Sequence, residues 1–439
     1  MSEQEKGVEV KEAYVIQEDI TPQIRYLLSE GSGEAPPLPK TAAIPYLEWL
    51  KKFSREHIFG QEDEEVKKSL HIPDKVVRAW GLREGDKIRF TLSEGFDEIV
   101  DVNGVKTPSS LRNRPNVLDF DLNISSYPRR LFAVDKHGNP TLRAYGIISP
   151  IGKGQRLIIA SPPESGKSSL IRLLLEFFLK ETLDDENLFV MSLLVGERAE
   201  DAEKLKEIEA TVEHDVSRVE LYHSPYGEPE EANVYMTEAF INRARRLCEG
   251  SDKSGYDVVA LIDCASRVLL AHSYSSKIEK PKGAGMIASG VSTASLAAVR
   301  KLHSVAGDFG NRSLTLISTM LTDEKKSRRK SSETALFDDS GPSTATAIWG
   351  LVRLPNTVPH PWIDVSLTHT RLFEQLFTEQ PGRKTEHDAV LHEMWNISTE
   401  GGGSRPAKAN EALRRLMSNA EKNLKYENTS FAKNDHKVS

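Results

Sequence analysis

The chain has 439 residues, a formal net charge of −7 and 38% hydrophobic content, enough for two or three domains with ordinary cores. No apolar run approaches the ~18 residues that a membrane span requires, and the opening MSEQEKGVEV is charged throughout, so a soluble, cytoplasmic protein without membrane contact is expected. Cys248 and Cys264 are too few for a disulfide framework and lack metal-ligand spacing, while the acidic balance argues against nonspecific adhesion to nucleic acid but not against a locally basic channel.

In chain order, the first thirty residues are polar and mixed, and GSGEAPPLPKTAAIP at 31–45 has the Gly and Pro content of a linker. Residues 1–45 therefore read as a flexible segment. A short helix is predicted from Tyr46 to Arg55. Lys87–Leu92 and Glu98–Val102, with turn signals at Glu94-Gly95 and Asn103-Gly104, read as short strands, and further pieces up to Ile148 make 46–148 a small β-barrel region. From Ser149 to about Asp364 strands alternate with helices, the pattern of a parallel α/β sheet, which places an α/β core at 149–375. Helices at Asp388–Trp395 and Asn410–Asn423, divided by GGGSRP at 401–406, give a C-terminal helical part over 376–430, with a tail at 431–439.

Leu157 to Leu175, LIIASPPESGKSSLIRLLL, carries the densest chemistry. An apolar strand runs into a tight Gly-Lys-Ser turn and opens a helix with Leu170, Leu173, Leu174 and Phe177 at helical spacing. Such a turn aims backbone N–H groups and a helix N-terminus at an anion. Pro163, Glu164, Ser165, Gly166, Lys167, Ser168 and Ser169 would form the cradle, with Lys167 on the outer phosphates and the Ser168 hydroxyl on Mg²⁺. The first position of G-x-x-x-x-G-K-[ST] is Ser161 rather than Gly. A second apolar run, Val258–Ile262, ends in Asp263, where an acid holds a metal's water shell. A third, Leu188–Val195, ends in Gly196, Glu197 and Arg198, and a carboxylate at that strand tip can polarise an attacking water. The bland alternative is that Asp263 and Glu197 only cap helices.

These residues also carry a resemblance. SPIGKGQRLIIASPPESGKSSL at 149–170 is similar to the SPIGKGQRG…APPKAGKT core of the bacterial transcription termination factor Rho family, including the Pro-Pro before the P-loop. LLVGERAEDAEKL at 193–205 resembles the family's LLIDERPEEVTEM, DVVALIDCASRVLLAHS at 257–273 its DVIILLDSITRLARAYN, and SLTLISTML at 313–321 its SLTIIATAL. GLREGDKIRF at 81–90 resembles the end of its cold-shock-like barrel. The resemblance implies a RecA-like P-loop motor domain, α/β in class, with a small N-terminal OB/cold-shock-like β-barrel and C-terminal helices. It further implies a homo-hexameric ring that threads single-stranded RNA and hydrolyses ATP with Mg²⁺ at subunit interfaces. In this numbering Lys167 and Ser168 match the phosphate and magnesium contacts, Glu197 the general base and Asp263 the Walker B acid. Arg198 and Arg267 match interface arginines, and Phe337, in ALFDDS, an aromatic that stacks on adenine. Alignment on the shared Pro-x-Ile-Asp at 361–364 places Val352 at the arginine finger, and Arg353, one residue away, is the catalytic finger that the resemblance implies.

Departures from the family fall in one functional direction. Glu164 stands where the P-loop carries Lys. Gly285 and Asp338 replace the cations of the two pore loops, and each lost phosphate contact removes about 0.7 from the single-strand salt slope. No GFGFLR-like aromatic run occurs between Lys51 and Trp80; Phe53, Phe59, Trp80 and Phe90 read as scattered core or helix-face aromatics. The cationic run Lys325, Lys326, Arg328, Arg329 and Lys330 could supply RNA grip from a shifted position. The expected activity is that of an RNA-dependent ATPase and 5′ to 3′ translocase of the helicase type in transcription termination, with RNA polymerase as a possible partner. The alternative is a divergent paralogue that binds nucleotide without RNA coupling.

Overall fold

The structure, a computed structural model, describes residues 9–17, 41–45, 70–71, 74–92, 96–112, 127–250, 255–275, 291–310, 312–322, 336–337, 344–353, 362–364, 367–371 and 373–378, with single positions to 392. Its N-terminal part is an antiparallel sheet. β1 (Glu9–Gln17), β2 (Thr41–Pro45) and β3 (Leu70–His71) are followed by helix α1 (Asp74–Trp80), β4 (Lys87–Leu92), β5 (Phe96–Val102) and α2 (Pro108–Arg112), in the strand order β3-β2-β1-β4-β5. Two of these strands lie inside the span that reads as a flexible segment. β1, EVKEAYVIQ, carries Val10, Tyr14, Val15 and Ile16 among polar and charged residues without strict alternation, so the polar composition around it hides the strand. Among the described residues the edges β3 and β5 do not pair, and no barrel closure is seen. Ile88, Phe90, Ile99 and Val102 are buried against Leu82 and Leu111, with Trp80 packed beside them, so these two aromatics belong to the core.

The larger part is an α/β sheet. Helix α3 (Pro140–Ile148) is capped by Asn139, whose side chain accepts from the Thr141 and Leu142 N–H groups. It precedes β6 (Arg156–Ser161), α4 (Lys167–Asp184), β7 (Leu188–Glu197), α5 (Ala199–Thr211), β8 (Val219–Pro225), α6 (Glu230–Glu249), β9 (Asp257–Asp263), α7 (Ala265–Tyr274), α8 (Thr293–Ser304), β10 (Gly307–Asp308), β11 (Ser313–Leu321), β12 (Ala347–Gly350) and β13 (His369–Thr370). The strand order is β13-β12-β6-β11-β9-β7-β8, with β10 on β11; the six strands from β12 to β8 run parallel. Alternation sorts the side chains. Ile158, Ala160, Val258, Ala260 and Ile262 join the core under α6, α7 and α8, whereas Leu157, Ile159, Val259 and Leu261 join the core under α3, α4 and α5.

Phe132, Val134, Leu142 and Tyr145 are buried in that second core, so 132–148 is part of the α/β unit and the boundary read at 148 lies too late. Tyr145 stacks on Trp349 at 4.5 Å and donates to the Gly350 carbonyl at 2.8 Å. The N-terminal sheet docks on α6. Arg243 donates to Asn103 Oδ1 at 2.8 Å, Arg83 pairs with Glu249 at 3.1 Å, and Gly85, with φ +86, lies so close that a Cβ would stand 2.4 Å from the Asn242 carbonyl carbon. No helix among the described residues is long and apolar enough to cross a membrane. The helices predicted at 46–55 and 410–423 lie outside the described residues, as does most of 388–395.

Candidate active site

Parallel strands bring their C-terminal ends to one edge, and the loops there collect the chemistry. β6 ends at Ser161, which is buried, and the chain turns through Pro162 to Gly166 into α4. The left-handed positions of this turn are Glu164 (φ 59) and Gly166 (φ 95). Ser161 still belongs to the strand, which is why the motif survives Ser in place of its first Gly. Ser165 Oγ donates to the Pro162 carbonyl at 2.8 Å and braces the loop. The resulting concavity is lined by Ser161, Pro162, Pro163, Glu164, Gly166, Lys167, Ser168, Ser169 and Leu321.

Lys167 opens α4 and points across the strand ends. Its Nζ lies 2.7 Å from Asp263 Oδ1, at the tip of β9, and 3.5 Å from Glu197 Oε1, at the tip of β7. Burial works against the charged ammonium, but Asp263, Cys264 and Glu197 together outweigh it and hold the amine above the ordinary lysine range. Burial pushes the Glu197 carboxyl above the ordinary glutamate range; Lys167 and Arg267 pull it down and Asp263 pushes it up. Arg267 on α7 reaches Glu197 Oε1 at 3.4 Å, and its guanidinium lies 5.8 Å from the centre of the Tyr226 ring. The two carboxylates of the site are thus held by two cations, and the cradle is an anion-binding loop with a base candidate beside it.

Of the residues singled out from sequence, the structure brings together Pro163, Glu164, Gly166, Lys167, Ser168, Ser169, Glu197, Asp263 and Arg267, with Ser165 bracing the loop from behind. Arg198 is exposed at the N-terminal cap of α5. Two further residues singled out from sequence stand away from the mouth of the cradle or pair with its rim. Phe337 is 9% exposed and packs into the core under α6 to α8, because its ring fills that core instead of presenting a face to a base. Arg353 follows β12, next to β6, and within the single chain its Nη2 lies 3.0 Å from Glu164 Oε2 of its own P-loop. Glu164 is correspondingly turned outward, with its side chain 75% exposed. Gly285, Asp338 and the run 325–330 lie outside the described residues.

The sequence reading misses three supporting groups. Thr319 donates its hydroxyl to Asp263 Oδ1 at 2.6 Å, His223 Nε2 lies 3.2 Å from the Glu197 carbonyl, and the Tyr226 N–H donates to that carbonyl at 3.0 Å. The one available signal is position, since each sits at the C-terminal end of a strand that neighbours an acidic tip.

A strand–loop–helix phosphate cradle with acids from two parallel neighbours, set on this sheet, is the build of RecA-like P-loop ATPases. The fold is also that of a prototypical ATPase from the type III secretion system of pathogenic bacteria, whose structure matches at a TM-score of 0.50 and 18% identity over 68% of this chain and 82% of that one. No family model matches the sequence. The transcription termination factor Rho of Streptosporangium roseum is 27% identical over 345 residues, covering 78% of this chain and 81% of that protein. That of Streptobacillus moniliformis is 29% identical over 331 residues, covering 73% and 72%. Further partial, low-identity matches are likewise to Rho factors, so the chain is similar to that family and carries a RecA-type ATPase fold.

Proposed function

We propose that the chain hydrolyses ATP and couples that hydrolysis to movement along single-stranded RNA, as a Rho-type 5′ to 3′ translocase in transcription termination. The observation that carries the reading is the convergence of Lys167, Glu197 and Asp263 at the mouth of the P-loop, within motifs that match the Rho family in order and spacing. The cradle fits a nucleotide phosphate with Mg²⁺: backbone N–H groups and Lys167 face the anion, the Ser168 hydroxyl lines the pocket, and Asp263 stands behind it to hold metal-bound water. When bound, Mg²⁺ supplies neutralisation of phosphate charge. Glu197 takes the proton of an attacking water and Arg267 steadies its carboxylate. Ring assembly as a homo-hexamer, action on RNA polymerase, an OB/cold-shock-like role for the N-terminal sheet and cytoplasmic residence belong to the same proposal.

The test is steady-state ATP hydrolysis with and without a pyrimidine-rich RNA, with Lys167→Ala as the blank. Stimulation by RNA that the substitution abolishes is the expected result. A second reading, a paralogue that binds nucleotide without RNA coupling, is favoured by Glu164, Gly285 and Asp338, each of which replaces a cation by a neutral or acidic residue. Hydrolysis indifferent to RNA would select it, and stimulation created by Gly285→Lys with Asp338→Lys would locate the difference in the pore loops.

A further inference from the structure

Glu164 and Arg353 form a part of the cradle that the family pattern does not supply. Backbone geometry delivers the arginine. Gly350 registers with Ala160 of β6, the Leu351 N–H donates to the Ala160 carbonyl at 2.8 Å, and the Val352 N–H donates to the Trp362 carbonyl at 2.9 Å. Arg353, two residues past Leu351, is therefore carried to the lip of its own P-loop by bonded backbone, not by the ion pair alone. Glu164 lines the pocket from a left-handed backbone position, φ 59, and meets Arg353 there at 3.0 Å.

Charge and sheet order say what this arginine can do. Around the cradle stand Lys167, Arg267 and Arg353 against Asp263, Glu197 and Glu164, three cations against three anions. Without Arg353 an anionic ligand would meet a net negative site. β12 flanks β6 on one side, whereas β11, β9 and β7 flank it on the other. Asp263 and Glu197 thus approach the cradle from one side and Arg353 from the opposite one, away from the base candidate Glu197.

We propose that Arg353 is a phosphate-recognition residue acting in cis, parked on Glu164 in the free chain and transferred to the inner phosphates when nucleotide enters. The proposal rests on the nucleotide-site reading above. An exposed carboxylate–guanidinium pair costs little to break, and the planar guanidinium re-forms paired hydrogen bonds on phosphate oxygens. Glu164 then selects against partial occupancy: the arginine stays neutralised until a phosphate competes for it.

Calorimetric titration of the full chain with Mg·ADP and with the slowly hydrolysed Mg·ATPγS tests this. Arg353→Ala should weaken both ligands by a similar factor, roughly three- to tenfold, and Glu164→Gln, which removes this acidic competitor and keeps the arginine, should tighten both by about two- to threefold. Both effects should shrink as salt rises. The reversed pair, Glu164→Arg with Arg353→Glu, should bind better than Arg353→Glu alone. Unchanged affinity for both ligands in Arg353→Ala, where Lys167→Ala abolishes binding, would overturn this proposal alone. Lost turnover with ADP affinity intact would also overturn it, by marking a finger that serves a neighbouring subunit. A wild-type chain that melts cooperatively but binds neither ligand would remove the nucleotide reading and this inference with it.

Discussion

Asp263 is 3% exposed, and two donors make its charge tolerable: the Lys167 ammonium at 2.7 Å and the Thr319 hydroxyl at 2.6 Å. Thr319→Val keeps the shape and removes one donor, leaving a carboxylate lone pair unsatisfied in a dry place. The expected loss is about 1–3 kcal/mol, read as a lower urea midpoint with unchanged slope. An unaltered midpoint would mean that water replaces the hydroxyl and that the site is wetter than its burial implies. Glu197 gives a second handle. Its carboxyl is raised by burial, and a base must be ionised to accept a proton, so turnover should fall as pH drops through a value above the usual glutamate range. Arg267→Ala removes a cation that lowers this pKa, so the acid limb should move to higher pH; an unmoved limb in the rate profile would assign it to another group.

At the scale of elements, β4 occupies the predicted 87–92, and β6, β7 and β9 end where their acids or cradle begin, because a buried parallel strand is a continuous apolar run that stops at a polar tip. What could not be read is contact made across register. Thr319 reaches Asp263 from a strand 56 positions away, and nothing local to SLTLISTML marks that threonine. The same holds for 132–148, whose apolar residues looked like barrel strands but pack on Trp349 and α4. A truncation separates the two boundaries. A chain beginning at 127 should retain a cooperative melt, whereas one beginning at 149 loses Phe132, Leu142 and Tyr145 from the core and should aggregate or melt broadly. Equal behaviour of the two would restore the boundary at 148.

Across the whole molecule, the N-terminal sheet and the ATPase unit meet on α6 through charge rather than oil, and that makes their union pH-sensitive. Glu238, on α6, is pushed to about 7 first by burial and then by Glu84, with Lys301 pulling it down. Glu84, in the loop before Gly85, is raised by burial against the pull of Arg246 and Arg245 and a hydrogen bond from Asn242. Between the ordinary glutamate value near 4.5 and about 7 the unfolded chain has released the Glu238 proton while the folded one keeps it. Folded protein then binds more protons, so stability falls as pH rises through that window and is flat above it. Glu238→Gln removes the ionisable group, and the variant should lose this slope and gain roughly 1–3 kcal/mol over wild type at pH 8 with little change at pH 4. Urea unfolding of both proteins across that range is the measurement; an identical slope in the variant would show that the junction on α6 carries no such proton.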